Sequence, residues 1–461
     1  MNEKTVAAYT LGCKVNLCDT EEILARFVQA GYKTVDFASG ADIYIINTCT
    51  VTAMSDKKSR QIIRRARAQN PKSIIAVCGC YSQAAPEEVI KIEGVDLVTG
   101  TGAREKIVGL VEDYQQISAR RSRVSAASSA AEIPNGANPT ADPVTPGNAP
   151  GAYGGVSEAS GRFAARTRAF LKIQDGCDCW CSYCVIPIVR GPARSRACGE
   201  TLAEAEALAG SGCKEIVLTG IHTASYGKDL NEKDAFITLI QRVHSIEGIA
   251  RVRLSSLDPR VVTPEFVNGL RKLPKLCPHF HLSLQSGCGT TLARMNRRYT
   301  PEEYAGKAAL LRQAFPGAAL TTDVIVGFPG ESEEDFLSCY EFVKAIHFAK
   351  VHVFPFSPKK GTAAEKFPNQ VPRGQKTSRA EKLLALSRAM ENEFIAKLCG
   401  ETAEVLFEQH LGGGVYAGHT PSYIKVHADS RVDVTNKILP VKITAALDQR
   451  AHGDILRGEI T

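Results

Sequence analysis

Phe170-Leu-Lys-Ile-Gln-Asp-Gly-Cys-Asp-Cys-Trp-Cys-Ser-Tyr-Cys184 decides how the rest of the chain is read. Phe170–Ile173 is a strand-like run, and the loop after it carries Cys177, Cys179, Cys181 and Cys184. Cys177, Cys181 and Cys184 give the spacing C-x3-C-x2-C. Three thiolates on one short loop suit a soft, multi-iron cluster. A four-iron cluster ordinarily takes four thiolates, so three would leave one iron open to a non-protein ligand. Zinc is the rival reading, but structural zinc usually shows two separated C-x2-C or Cys/His pairs, and no second pair is evident. Unligated core cysteines are the remaining alternative. Cys179 makes a second register possible, with C-x-C spacing.

Outward from this loop, strand and helix signals alternate. The strands expected are Phe170–Ile173, Glu215–Leu218, Val252–Ser255, Phe280–Leu284, Leu320–Val326 and Lys350–Phe354. The helices expected between them are Thr201–Ala209, Ala235–Ile246, Pro264–Leu270, Pro301–Gln313 and Glu333–Ile346, with Thr263 as an N-cap before Pro264. Six strands joined by helices predict an open, partial (β/α)6 barrel with functional residues at strand C-termini. A long helix, about Lys376 to Leu398, should close with Gly400 as its C′ residue. Beyond it, short strands at Ala403–Glu408, Tyr423–Val426 and Val441–Ala446 predict a small OB-like β-barrel.

Before the loop, residues 1–117 read as strands Thr5–Thr10, Asp42–Ile46, Ser73–Val77 and Val95–Val98 alternating with helices. That is an α/β, doubly wound parallel sheet. Residues 118–163, rich in Ala, Ser, Gly and Pro, read as a flexible linker. The domains expected are therefore 1–117, 164–398 and 399–461.

Composition constrains the chemistry. The chain has 461 residues, 44% hydrophobic and 23% charged, enough for cores without staples. Fifteen cysteines are too many for ordinary usage and too few for a disulfide scaffold. No leader pattern and no apolar run of about 18 residues is present, which predicts a cytoplasmic protein with reduced thiols and no membrane contact. Metal or redox chemistry then accounts for the cysteines. A net charge of +7 is compatible with RNA without being specific for it.

A second constellation lies in the first domain. Cys13 follows its first strand, Cys49 its second and Cys80 its third, each just before a helix. Strand ends of a doubly wound sheet meet at one crevice, so three distant cysteines become neighbours, with helix N-termini favouring thiolates. Three buried apolar cysteines are the plain alternative. Cys18 and Cys78 read as bystanders, Cys78 facing away from Val77's side of its strand. The helix with Lys57, Lys58, Arg60, Arg64, Arg65 and Arg67 is either a solvated face or a phosphate contact, as are Arg190, Arg194 and Arg196. Tyr416, His419, Tyr423 and Lys425 of the terminal barrel suit RNA.

At the C-x3-C-x2-C loop, with Tyr183 before the last cysteine, the sequence resembles the radical S-adenosylmethionine (SAM) superfamily. Over nearly its whole length it resembles the methylthiotransferase family, nearest the branch acting on N6-threonylcarbamoyladenosine in tRNA. The stretches that carry this are Leu11-Gly-Cys-Lys-Val-Asn16, Val217-Leu-Thr-Gly-Ile-His222, His281-Leu-Ser-Leu-Gln-Ser-Gly287, Met295-Asn-Arg-Arg-Tyr-Thr300, Asp323-Val-Ile-Val-Gly-Phe-Pro-Gly330 and His352-Val-Phe-Pro-Phe-Ser-Pro358. The linker departs from the family in its length.

The resemblance implies two 4Fe–4S clusters, one on Cys177, Cys181 and Cys184 with SAM on the open iron, the other on Cys13, Cys49 and Cys80. It implies SAM contacts at Tyr183, Thr219, Gly220, Ser255, Ser256, Gln285, Ser286 and Gly327, with no catalytic side chain beyond the cluster cysteines. It further implies a TRAM domain at 399–461, the anticodon loop of tRNA as partner, an electron donor such as flavodoxin or ferredoxin, and a monomer. The activity implied is insertion of a methylthio group at adenine C2. Isopentenyladenosine in tRNA or a ribosomal-protein aspartate are the alternative substrates, and a non-catalytic iron–sulfur RNA-binding protein is the distant one.

Overall fold

The computed structural model describes residues 3–51, 53–127, 166–447 and 449–455. The first unit is a five-stranded parallel sheet in the order Lys33–Thr34, Thr5–Thr10, Ile43–Thr48, Ile74–Gly79, Leu97–Val98. Its central strand, Ile43-Tyr-Ile-Ile-Asn-Thr48, is buried throughout because both faces are covered. Ile43 and Ile45 pack with Ile23, Phe27, Ile107 and Val111 on one face. Tyr44 and Ile46 pack with Ile62, Ile63 and Ala66 on the other. The doubly wound sheet expected from the sequence is present, and Cys78 does lie in the core opposite Val77. The helix Ile107–Ala127 runs past the boundary at 117, so residues 118–127 are helical rather than linker. The rest of the expected linker, 128–163, lies outside the described residues.

The second unit is the partial barrel. Its strands are Arg168–Asp175, Glu215–Gly220, Arg251–Leu254, His279–Leu282, Ala319–Val326 and Lys350–Pro355. They form two parallel runs that meet at Ser255, where the third strand leaves one sheet and continues in the other as Ser256–Leu257. Alternate residues fill opposite sides. Leu171, Ile173, Ile216, Leu218, Val252, Leu254, Phe280, Leu282, Leu320 and Val324 join the core under the helices. Their neighbours Phe170, Thr219, Ser255, His281, Asp323 and His352 therefore face the lumen. The helices Pro264–Arg271, Pro301–Ala314 and Glu333–Ile346 start at capping residues Thr263, Thr300 and Ser332, each accepting a backbone N–H.

The helix Arg373–Ala396 packs on the last barrel strand, where the Ser387 hydroxyl accepts from Val351 N at 2.9 Å. Its cap is Lys397, so Gly400 is not its C′ residue; Gly400 N instead donates to Ile443 O, at the start of the terminal barrel. That barrel is closed, with strands Thr402–Gly412, Val415–His419, Lys425–Asp429, Arg450–Ile455 and Ile438–Leu447 in order around it. Two of these strands, Val415–His419 and Arg450–Ile455, are missing from the sequence reading. Glycine and polar residues dilute their alternation.

The terminal barrel plugs the N-terminal end of the partial barrel. Arg251 and Arg253 donate to the carbonyls of His419 and Pro421 at 2.9 and 2.8 Å. Arg253 lies over the Tyr423 ring at 4.7 Å, and His279 packs against the same ring at 5.1 Å. Burial holds the His279 imidazole well below the ordinary value of 6.5, with Arg253 adding to the effect. The unfolded chain thus binds this proton first, so the contribution is complete above about pH 6.5 and is lost as pH falls below it. Stability should drop by up to about 1.4 kcal/mol per pH unit between about pH 6 and 5. His279→Leu should flatten that slope in thermal unfolding measured against pH; an unchanged slope would remove His279 as its source.

Candidate functional site

In the first domain the three strand-end cysteines converge on Asn16. Cys13 precedes the helix Lys14–Gln29, Cys49 follows the strand Ile43–Thr48, and Cys80 opens the helix Cys80–Ala84. The thiols of Cys13 and Cys80 lie 4.0 and 3.9 Å from Asn16 Oδ1. Asn16 is fixed by its own amide, which donates to Leu11 O at 2.8 Å and Thr48 O at 3.0 Å. Cys49 closes the group against Gly12, where an added Cβ would fall 2.9 Å from its sulfur at a φ of +102°. Only glycine fits that approach. The helix N-termini do not make Cys49 and Cys80 thiolates unaided. Burial pushes Cys80 up to about 12 and raises Cys49, so a bound cation is needed to ionise them. Three sulfurs with no carboxylate among them suit soft iron chemistry. Cys18 stands apart, donating to Phe170 O at 3.4 Å.

The loop after Arg168–Asp175 carries the other group. Cys184 N donates to Cys181 O at 3.0 Å, and Arg297 donates to the Cys181 sulfur at 3.4 Å. Among the described residues, the donors close enough to share one ion here are Cys177, Cys179 and His222, without Cys181 or Cys184. The C-x3-C-x2-C triad is not gathered closely enough to share one ion. Ligands of separate irons stand further apart, so the triad suits a cluster. As thiols, Cys177 and Cys179 share a hydrogen bond that holds Cys179 down to about 3 and raises Cys177. Burial lifts Cys184 to about 12.

Beside the loop lies a charged group that sequence reasoning missed. His222 Nε2 is 3.7 Å from the Cys179 sulfur and 3.5 Å from Asp258, and Arg260 donates to Asp258 at 2.7 Å. Burial opposes charge on His222, but its hydrogen bonds to Asp258 and Cys179 outweigh this and lift it to about 9. Periodicity alone gave no signal for these residues, which come from three segments, Asp258 and Arg260 sharing one turn.

The residues expected around SAM divide. Ser255 is buried, and its hydroxyl has no hydrogen-bond partner among the described residues, so a polar ligand there would satisfy it. Gly220 stands where a Cβ would come 3.0 Å from Gln174 Oε1, and Thr219 is buried beside it. Gln285, at a φ of +68°, lines a cavity of about 240 Å³ with Tyr183, Cys184, Asp323, Phe354 and Val51. Ser256 and Ser286 are engaged elsewhere: Ser256 Oγ bonds Ser283 Oγ at 2.7 Å, and Ser286 Oγ accepts from Cys288 N at 3.2 Å. Gly327 lies beneath Lys376, whose Cγ an added Cβ would overlap.

Two family descriptions match: uncharacterized protein family UPF0004 over residues 5–100 and the radical SAM superfamily over residues 171–343. The threonylcarbamoyladenosine tRNA methylthiotransferase MtaB of Bacillus subtilis is 41% identical over 98% of this chain and 96% of its own. The chain belongs to the radical SAM methylthiotransferase family. A tRNA-2-methylthio-N(6)-dimethylallyladenosine synthase of Caldicellulosiruptor saccharolyticus is 32% identical over 98% of this chain and 93% of its own. The solved radical SAM methyltransferase TsrM of Kitasatospora setae superposes with a TM-score of 0.55 at 15% identity, covering 84% of this chain and 89% of that one, a likeness of fold.

For a methylthiotransferase, the family implies a 4Fe–4S cluster with SAM and a second cluster. Several basic residues read from the sequence as anion contacts prove structural in this one. Arg190 is buried and donates to Asp175 at 2.9 Å and Asp19 at 3.0 Å. Arg196 is buried against Glu204. Arg67 pairs with Asp96, and Arg60 donates to Tyr81, leaving Lys57, Lys58, Arg64 and Arg65 exposed on that helix. Tyr416 is buried, and His419 stacks on Tyr423 at 4.8 Å within the interface between barrels. Lys425 of that reading is exposed, and among the described residues of the terminal barrel Arg431, Lys442 and Arg450 are exposed with it. Among the described residues no helix is long and apolar enough to cross a membrane.

Proposed function

We propose that this methylthiotransferase replaces the C2 hydrogen of N6-threonylcarbamoyladenosine, next to the tRNA anticodon, with a methylthio group. Cys177, Cys181 and Cys184 would hold the cluster that binds SAM, and Cys13, Cys49 and Cys80 the second cluster. When bound, these groups supply the radical and sulfur chemistry that no side chain can bring to an unactivated C–H bond. The observation that carries the reading is the cavity bounded by both domains. Val51, two residues after Cys49, and Cys184 line it together, so one base could meet both groups. The chain's own residues bind and orient: Ser255 offers its hydroxyl, Thr219 and Gly220 leave backbone open to a ligand, and Arg297 donates to the Cys181 sulfur. The open side of the barrel, between its first and last strands, admits a base splayed from its stack. The exposed lysines and arginines of the terminal barrel, read as a TRAM domain, would add salt-sensitive RNA affinity.

Identity favours this nucleoside, at 41% to the first threonylcarbamoyladenosine enzyme against 32% to the first dimethylallyladenosine one. The test uses anaerobically reconstituted enzyme and anticodon stem-loop RNAs carrying either nucleoside. Mass spectrometry should find the methylthio product on the threonylcarbamoyl RNA alone. Product on the isopentenyl RNA alone, or on neither while SAM is cleaved, would refute the substrate.

A further inference from the structure

His281, Asp323 and His352 stand on three adjacent barrel strands and turn their polar atoms toward one another, all within 4.8 Å. His281 Nε2 lies 3.2 Å from Asp323 Oδ2, and its Nδ1 lies 3.0 Å from Thr321 Oγ1. Asp323 and His352 are register partners, and the two imidazoles are 5.8 Å apart. The lumen opens at this point, because His352 and Phe354 on the last strand are exposed. On the other side of the opening, Lys14 of the first domain reaches over Phe170, its Nζ 5.6 Å from the ring. Burial holds His352 below the ordinary histidine value; the Asp323 carboxylate opposes it, and nearby positive charges, Lys14 among them, add to it. Asp323 also lines the cavity that holds Cys184 and Gln285. None of these groups is occupied by the chemistry assigned above.

A lumen with one ammonium, two imidazoles and one carboxylate suits a ligand that carries an acid and a donor. A divalent cation on His281, Asp323 and His352 is the rival occupant, which a zinc measurement separates. The reading rests on the proposed substrate. Its threonyl arm carries a carboxylate, a hydroxyl and ureido N–H groups, all absent from an isopentenyl arm. In adenine, C2 and C6 flank N1, so an arm on N6 leaves from the same side as C2. A subsite for the arm must share a cavity with the reacting carbon, as Asp323 does.

We propose that Lys14, His281, His352 and Asp323 form the subsite for the threonyl arm. Lys14 and the His352 imidazole face its carboxylate, and Asp323, oriented by His281, accepts from its hydroxyl. These are specificity-determining residues, not catalytic ones. A carboxylate in this lumen has a second source, the methionine end of SAM, which the test separates.

Reconstituted wild type, Lys14→Gln and His352→Phe would be titrated with stem-loop RNAs that carry threonylcarbamoyladenosine or its neutral methyl ester. Wild type should prefer the acid by about 10- to 100-fold, and each variant by less than about 3-fold. SAM affinity should stay within about 2-fold of wild type, and iron content should match it. The ester comparison on wild type stands even if a variant folds poorly. No preference for the acid in wild type that nonetheless makes product would overturn the subsite while leaving the function intact. Variants that keep the wild-type preference, a preference lost together with SAM affinity, or stoichiometric zinc lost in His352→Phe would each overturn it as well. Wild type that modifies neither RNA would instead reject the substrate on which the subsite rests.

Discussion

Cys80→Ala enzyme should keep SAM cleavage, fall from about eight irons per chain to about four, and make less than about 1% of the wild-type methylthio product. The separation follows from where Cys80 sits. It opens a short helix in the first domain, is buried, and meets Cys13 through Asn16. The cysteines proposed to hold SAM's cluster are on another domain, after the strand Arg168–Asp175. Removing one sulfur from a group of three leaves only Cys13 and Cys49, and burial disfavours the Cys49 thiolate. A cluster held by two such groups should be lost. The cavity left by a thiol is small, so the fold should survive. Cys184→Ala gives the reciprocal result, losing SAM cleavage and product together. Iron analysis, 5′-deoxyadenosine release and nucleoside mass spectrometry on the same samples decide it. Full product from Cys80→Ala would show that its sulfur is not a ligand, and loss of SAM cleavage in that variant would show that the two sites are not separate.

The sequence was informative where a local rule acts alone. The helix Glu333–Ile346 matches the sequence reading to the residue, and in the structure Ser332 caps its start. The strand Ile43–Thr48 was legible as a buried apolar run, and Cys13, Cys49 and Cys80 were gathered by the rule that parallel strand ends share an edge. What stayed hidden depends on pairs far apart in the chain. Nothing near Arg190 signals that its partners are Asp19, more than 150 residues earlier, and Asp175. A basic residue after a cluster loop looks like an anion contact until those carboxylates are seen. Tyr423 likewise resembled an RNA platform until Arg253 and His279 were found against its ring. The lumen trio was missed for the same reason: each of His281, Asp323 and His352 is one polar residue on a separate strand.

Arg190→Met should destabilise the junction between the first domain and the barrel by about 3–5 kcal/mol, the largest stability effect expected of any single side chain here. Arg190 is 1% exposed and forks between two acids, its Nη1 donating to both oxygens of Asp175 at 2.9 and 3.1 Å and its Nη2 to Asp19 at 3.0 Å. Asp19 belongs to the first domain's helix Lys14–Gln29, and Asp175 ends the barrel strand before the cluster loop. Lys172 and Arg104 complete the network, with Lys172 Nζ at 2.6 Å from Asp19 and 2.7 Å from Asp175. Burial disfavours both carboxylates, yet the three cations hold each below the ordinary range. Their stabilisation is therefore complete above an ordinary carboxylate value of about 4 and is lost as pH falls through the depressed one. Without Arg190, two buried acids share two cations, so the acid limb of stability should move to higher pH. Arg190 also donates to Asn16, the residue between Cys13 and Cys80, so the same change should loosen that group. Arg190→Lys should recover part of the loss, because one ammonium cannot reproduce the fork. Denaturant unfolding and limited proteolysis between the domains measure the effect. A loss below about 1 kcal/mol would mean that Lys172 and Arg104 alone neutralise the pair.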